Sequence, residues 1–373
     1  MLGSCSVLGK SVLQKPLKFL FVSTSVGALG SGDGGGVELT LLNIARLLVS
    51  RGHFLQVVAP KGSRLDGVTV TEIDGVLQVP AQTLSRAVPV MMPENSVLGN
   101  MWNYVRQVQR KFDLIINFAY DWLPFYLTPF LTTPVAHLVS MGSLSDVMDD
   151  VIGSIATQYP HSIGVYTRTQ AQTFAFANAC VPLGSGLDLA RYSFCETPDS
   201  ALCWLGRISP EKGLEDAVAA SQATDIPLKI MGQIQDQSYF RQIQQDFPEA
   251  PFEYLGFLKT DPMQNIVRRC RGLLVTSHWV EAFGNVLIEA LACGVPVIAY
   301  RRGGPTEIVR DGETGWLVKP DSVDGLVSAI QSLDQIDRSA CRQQAEQEFS
   351  LEALGDRTEA WFDAVLKFWP RVG

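Results

Sequence analysis

Glu281 and Glu289 stand eight positions apart in the stretch HWVEAFGNVLIEALACGVPVIAYRRGGPTEIVRDGET, residues 278–314. Gly284 or Asn285 falls where a helix would begin, so the amides of Gly284, Asn285 and Val286 could bind a phosphate. Glu289 lies about one turn into that helix, where a carboxylate could bridge a ribose diol. Val286, Leu287, Ile288, Ala290, Leu291 and Ala292 make the helix apolar almost all round, so Glu289 is expected to be buried and to need a partner. Glu281, on the preceding loop, would reach the hydroxyls of a sugar. The plainer alternative makes Glu281 a charge favoured by the helix dipole and Glu289 a solvated residue. A second glycine turn, Arg302-Gly303-Gly304-Pro305, follows an apolar strand. The arrangement suits a sugar nucleotide held at a helix start.

Two cations belong to the same chemistry. Arg207 and Lys212, in Gly206-Arg207-Ile208-Ser209-Pro210-Glu211-Lys212-Gly213, would offset the charge of a leaving diphosphate from one cleft edge. A solvated basic pair on a turn is the alternative. No D-x-D triplet occurs, and no catalytic metal or resident cofactor is expected. Near the N-terminus, Gly30, Gly32 and Gly35 satisfy G-x-G-x-x-G. The next strand ends Val58-Ala59-Pro60-Lys61, without the acid that a dinucleotide ribose requires, so a nicotinamide-dependent oxidoreductase is disfavoured. The amides around Gly35 and Gly36 still form an anion cradle at a helix start, and both glycines are assigned to the donor.

The elements that must position these residues alternate from Leu17 onward. Strands are expected at 17–23, 54–59, 114–118 and 135–139, with 162–166 as the last of the first half. Helical spacing runs over 37–51, with Gly52 at the helix end, and over 105–112. A turn-rich hinge, 181–188, precedes a second set: strands at 201–206, 228–232, 252–256, 272–277 and 296–300, a helix opening at Gly213, and a final helix over 349–368. The fold class is α/β, with two Rossmann-like domains facing a central cleft. The boundaries read 1–184 for the first domain and 185–350 for the second, with a helix over 351–373.

Composition limits the alternatives. A chain of 373 residues exceeds one ordinary core. Hydrophobic residues make up 46% and charged residues 18%, which describes a globular chain. The net charge of −8 argues against a nucleic-acid partner. Seven scattered cysteines without a C-x-x-C pair read as reduced, mostly buried thiols of a cytoplasmic protein. No apolar run reaches the ~18 residues of a spanning helix. The first 16 residues make a poor signal peptide and read as a loose extension.

Residue by residue the chain resembles glycosyltransferase family 4, retaining enzymes of the GT-B fold. The resemblance covers most of 17–370 and is strongest in 203–213 and 276–318. Glu281 and Glu289 match the family's E-x7-E motif, and Arg207 and Lys212 its cationic pair at the donor diphosphate. Gly35-Gly36-Val37-Glu38 and Arg51-Gly52-His53 match its N-terminal pattern. The resemblance implies a nucleotide-sugar donor held mainly by the second domain, an acceptor held mainly by the first, retention at the anomeric carbon, and a last helix crossing back. Many members carry a His just after the strand that corresponds to 135–139; here Ser140 or Met141 takes that place, and His137 falls inside the strand, where a core role outweighs a catalytic one.

The segment 21–40 is similar to the cyanobacterial enzymes that transfer glucose from UDP-glucose to tetrahydrobiopterin. This implies a tetrahydropterin acceptor. Asn117, Tyr120, Asp121 and Trp122, at a strand end, could stack on such a ring and pair with its amino-pyrimidinone edge, and His137, Ser140 and Met141 complete the acceptor candidates. An aromatic patch closing the core is the competing reading. A lipid or saccharide acceptor, a GT-B nucleotide-sugar epimerase and a non-catalytic subunit stay open, as does the oligomeric state.

Overall fold

The computed structural model describes residues 13, 15–31, 35–81 and 85–370. Gly32 of the first glycine loop and nearly all of the N-terminal extension lie outside these. The chain divides into two compact units: the N-terminal part to Ser185 together with the segment from Leu351, and Gly186–Ser350.

The first unit is built on seven parallel strands: β1 (Lys18–Val22), β2 (Phe54–Pro60), β3 (Thr69–Ile73), β4 (Leu114–Asn117), β5 (Val135–Leu138), β6 (Ile163–Val165) and β7 (Cys180–Pro182), in the order β3-β2-β1-β4-β5-β6-β7. β4 and β5 are buried throughout, as strands covered on both faces must be, and this is why they read as plain apolar runs. The helix Leu351–Phe368 belongs to this unit and packs on the helix Gly36–Ser50. Arg51 pairs with Asp356 at 2.7 Å, His53 Nε2 meets Glu359 Oε1 at 3.2 Å, and the Trp361 indole donates to the His161 carbonyl at 2.7 Å.

The second unit carries β8 (Leu202–Leu205), β9 (Leu228–Met231), β10 (Phe252–Tyr254), β11 (Gly272–Val275), β12 (Val297–Tyr300) and β13 (Gly315–Val318), all parallel, in the order β10-β9-β8-β11-β12-β13. In both sheets the order reverses at one place, between β1 and β4 and between β8 and β11. Open α/β sheets bind ligands beyond the carboxyl ends of the strands at such a switch point.

Two expectations need correction, and the edge strands β3 and β13 were not among the strands expected. The first half does not end at 162–166: β7 follows, three residues closed by a proline at the sheet edge, inside what reads as hinge. β3 has the half-exposed sequence Thr-Val-Thr-Glu-Ile of an edge strand and lacks an apolar run. The helix expected from 105 begins at Val97, where the Ser96 hydroxyl caps it by accepting from the Gly99 amide. The six described cysteines are free. Among the described residues no helix is long and apolar enough to cross a membrane.

Candidate functional site

The switch point of the second unit gathers the candidate donor residues. After β8 the chain turns through Pro210–Lys212 into the helix Leu214–Thr224, with Gly213 between them. Gly213 has φ +62°, and a Cβ there would stand 2.2 Å from the Thr276 carbonyl, so only glycine lets this turn lie against the loop after β11. That contact brings Lys212 to Glu281. The ammonium pairs with Glu281 Oε1 and lies 4.8 Å over the Trp279 ring, while the Ser277 hydroxyl donates to the same oxygen at 2.8 Å. Burial pushes the Glu281 carboxyl up, but the charge and hydrogen bond of Lys212 outweigh it and hold the group below its ordinary value. From the other side the glycine turn after β12 closes on this loop: the Gly304 amide donates to the Glu281 carbonyl at 2.7 Å, and a Cβ on Gly304 would stand 2.3 Å from the Phe283 carbonyl.

Arg207 makes separate contacts, donating to Gln235 Oε1 at 2.7 Å and lying 3.5 Å from Glu211. Gln235 was not legible in the sequence because β9 and its following loop carry no signal linking them to this turn. Gly284, at φ +97°, caps the helix Asn285–Ala292. Gly284, Asn285 and Val286 are half-buried, whereas the residues after them are buried. Glu289 is buried as expected, but its partner is supplied by the protein: the Tyr192 hydroxyl donates to Oε1 at 2.9 Å. Burial of Glu289 therefore does not by itself require a ligand. Desolvation raises its pKa to about 7, against the lowering effects of Tyr192 and Arg191. Tyr192 is itself held by Arg342, which donates to the Tyr192 and Ala292 carbonyls at 2.8 and 2.6 Å.

Beside this loop lie Asp216, His278 and Asp321, whose ligand atoms fall within 4.8 Å of one another. His278 Nε2 is 3.0 Å from Asp216, the Tyr300 hydroxyl donates to Asp216 at 2.5 Å, and Arg302 donates to Asp321 at 2.7 Å. The carboxylates thus have protein partners. A larger cavity of about 300 Å³ adjoins Arg271 and Pro296, at the opposite, amino ends of β11 and β12, and holds none of the candidate residues.

The first unit has its own pocket of about 60 Å³ at the β1/β4 switch point. Tyr120 and Asp121 line it after β4, and Ser140 and Met141 after β5. Thr24 and Ser25, after β1, and Gln78, in the loop after β3, join them without having been singled out from the sequence. Gln170 is buried and donates to the Val139 and Met141 carbonyls at 2.7 and 2.8 Å, which fixes the β5 loop. Gly35 and Gly36 open the helix of this unit at 36–50 and belong to no part of the second unit.

The other acceptor candidates stand elsewhere. His137 is fully buried, its ring stacked on Phe125 at 4.3 Å and placed between Asn117 Nδ2 (3.2 Å) and Thr128 Oγ1 (2.9 Å). Burial drives its pKa down to about 3, so it stays neutral. Asn117 is consumed by His137 and by both backbone groups of Ala119. Trp122 stacks on Tyr126 at 4.4 Å outside the pocket lining. Asn117 and His137 are fully buried, are absent from the pocket lining, and have their side-chain polar groups committed to these protein partners. His137→Ala should lower stability by about 2–4 kcal/mol in urea denaturation, through the cavity and two broken hydrogen bonds, and leave UDP-glucose affinity unchanged. A stability within experimental error of wild type would remove the core role.

Residues 196–348 match the family model of glycosyl transferases group 1. The glycogen synthase of Mycobacterium tuberculosis is 30% identical over 159 residues, 40% of this chain and 38% of that protein. The aligned part thus spans little more than a third of that relative's length. Among solved structures, the Anabaena protein HepE in complex with UDP and glucose superposes with a TM-score of 0.72, 19% identity, and coverage of 93% of this chain and 100% of that one. Sucrose-phosphate synthase from Thermosynechococcus elongatus gives 0.76, with 18% identity and coverage of 94% and 99%. The fold of the two units, each a parallel Rossmann-like sheet, is that of GT-B glycosyltransferases.

Proposed function

We propose that this protein is a retaining glycosyltransferase that moves a hexose from a nucleoside diphosphate sugar to a hydroxyl acceptor. The observation that carries the reading is the meeting of Lys212, Glu281 and the half-buried start of the helix Asn285–Ala292 at the β8/β11 switch point, inside the segment that matches group 1 glycosyl transferases. Arg207, Lys212 and the amides of Gly284 to Val286 take the diphosphate, Glu289 takes the ribose and Glu281 the sugar hydroxyls. The acceptor oxygen bonds to the anomeric carbon as the bond from that carbon to the diphosphate oxygen breaks, and the acceptor proton passes to the departing oxygen. Charge on the leaving group is offset by the two cations and the amides, with no metal. UDP-glucose is the preferred donor, and the pocket of Tyr120 and Asp121 takes the acceptor, a tetrahydropterin by the resemblance of the N-terminal segment.

The test is nucleoside diphosphate release. UDP-glucose and other nucleotide sugars are incubated with the full chain, with and without tetrahydrobiopterin, in chelator. Acceptor-dependent UDP release, with an α-linked product, is expected. Conversion of donor without acceptor would instead establish an epimerase or hydrolase. Arg207→Ala should cut acceptor-dependent turnover by about 10²-fold, because it removes a leaving-group cation that touches only surface partners, with the unfolding midpoint unchanged. Wild-type turnover in that variant would sink the diphosphate role of Arg207.

A further inference from the structure

The loop after β3 is fixed over the pocket of the first unit. Its Val76 amide donates to the Asn95 carbonyl at 2.8 Å, and its Gln78 amide donates to the Ser25 carbonyl at 2.9 Å. The Gln78 side chain is thereby held against two acceptors: Nε2 donates to Asp121 Oδ2 at 3.1 Å and to the Met91 carbonyl at 3.4 Å. Both neighbours can only accept, so the amide cannot be turned round and its oxygen remains an acceptor. Among the described residues Oε1 of Gln78 takes no hydrogen bond and Asp121 forms no ion pair. Asp121 is half-buried, and desolvation pushes its carboxyl up against the lowering effects of Gln78 and of the Trp122 and Leu123 amides. Thr24, 8% exposed and in the same lining, has a hydroxyl oxygen with no hydrogen-bond partner among the described residues. A pocket of about 60 Å³ with these groups on one edge and Val26, Val37 and Val79 on its walls admits one small ring.

We infer that Gln78 is the specificity-determining residue of this pocket: fixed against Asp121, it sets its own oxygen beside the carboxylate as a pair of acceptors, which selects ligands offering adjacent N–H or O–H donors over those offering a carbonyl, carboxylate or phosphate oxygen at that pair. A donor on the ligand satisfies a carboxylate that the protein leaves without a cation, whereas an oxygen brought to the same edge would leave two acceptors facing each other in a desolvated place. The inference rests on the pocket being the acceptor side of the proposed transferase, but the selectivity itself is a matter of binding.

The test therefore reads binding, with UDP followed in parallel. Isocytosine, pyrimidin-4-one and methyl α-glucoside are titrated by NMR into the intact protein and into the Gln78→Ala and Gln78→Met variants. Isocytosine and pyrimidin-4-one differ by one amino group, and the glucoside supplies a diol in its place. Wild type should bind isocytosine or the glucoside at least about tenfold tighter than pyrimidin-4-one, the equivalent of one hydrogen bond. Preference for isocytosine identifies N–H donors, and preference for the glucoside identifies hydroxyls. Both variants should erase the preference, and Gln78→Met does so at nearly constant side-chain volume. Equal affinities in wild type, or a preference that survives in both variants, overturns the inference. Intact UDP binding beside lost selectivity leaves the transferase reading standing. Absent UDP binding removes that reading and not the pocket's selectivity.

Discussion

Lys212→Ala should lower kcat/KM for the nucleotide-sugar donor by at least about 10³-fold and destabilise the protein at the same time. Both effects come from one contact. The Lys212 ammonium pairs with Glu281, whose side chain is 11% exposed, and among the described residues no other cation holds that carboxylate below its ordinary value. Removing the lysine strips the leaving diphosphate of its buried cation, worth about 10²–10³ in rate on its own. It also leaves Glu281 desolvated and uncompensated, which costs about 3–5 kcal/mol when one member of a buried pair is deleted. Desolvation then pushes the carboxyl up with no cation to offset it. Glu281→Ala alone is milder for folding, because a freed lysine reaches water more easily than a freed carboxylate. The double variant should regain most of the lost stability and none of the turnover. This non-additivity separates a shared structural role from two catalytic ones, and a four-protein cycle of kcat/KM and urea midpoints measures it. Turnover of Lys212→Ala within threefold of wild type would refute the assignment.

The fold was legible where burial is two-sided. β1, β4, β5, β11 and β12 are apolar runs because parallel strands under two helical layers have no solvent face. β3 and β7 escaped because edge strands need neither length nor continuous apolarity. The residues gathered at the β8/β11 switch point were legible for a related reason. They sit in short turns directly after strands, so Arg207 to Lys212 and Glu281 to Glu289 are local patterns. What no local pattern contains is which turn touches which. Tyr192 and Glu289 are 97 positions apart, and Gln78 and Asp121 are 43 apart. Each pair joins segments distant in sequence that only the tertiary fold brings together. The same cause explains the misplacement of Asn117 and His137. Their distance in sequence from Tyr120 and Ser140 is three residues, but their side chains are engaged in the core, Asn117 by His137 and the Ala119 backbone and His137 by Phe125 and Thr128. The pocket therefore took the residues after the strand ends and left those within them in the core.

Glu289 ties stability to donor binding through pH. Its carboxyl has a value of about 7 in the folded protein against 4.5 when exposed. A raised acid is protonated in the fold and ionised in the unfolded chain between these limits, so the folded state binds more protons there. The contribution is complete below about pH 4.5 and is lost as pH rises to about 7, a total of about 3 kcal/mol. His137 runs the other way: held neutral with a value of about 3, it favours the unfolded chain as pH falls below about 6.5. Because the two slopes oppose, the Glu289 term is isolated by difference. The stability of wild type minus that of Glu289→Gln, which keeps an oxygen for the Tyr192 hydroxyl, should decline by about 3 kcal/mol between pH 4.5 and 7.5 in urea titrations. The cost in stability is what ligand binding recovers. An ionised Glu289 accepts from a ribose diol twice over, whereas the protonated form must turn its own proton away. The KM for UDP-glucose, whose diphosphate does not titrate in this range, should therefore fall about tenfold from pH 6 to pH 8 in wild type and stay flat in Glu289→Gln. Parallel KM profiles in the two proteins would detach Glu289 from the ribose and leave it a buried partner of Tyr192. A flat stability difference would show that the carboxyl is already ionised in the free protein.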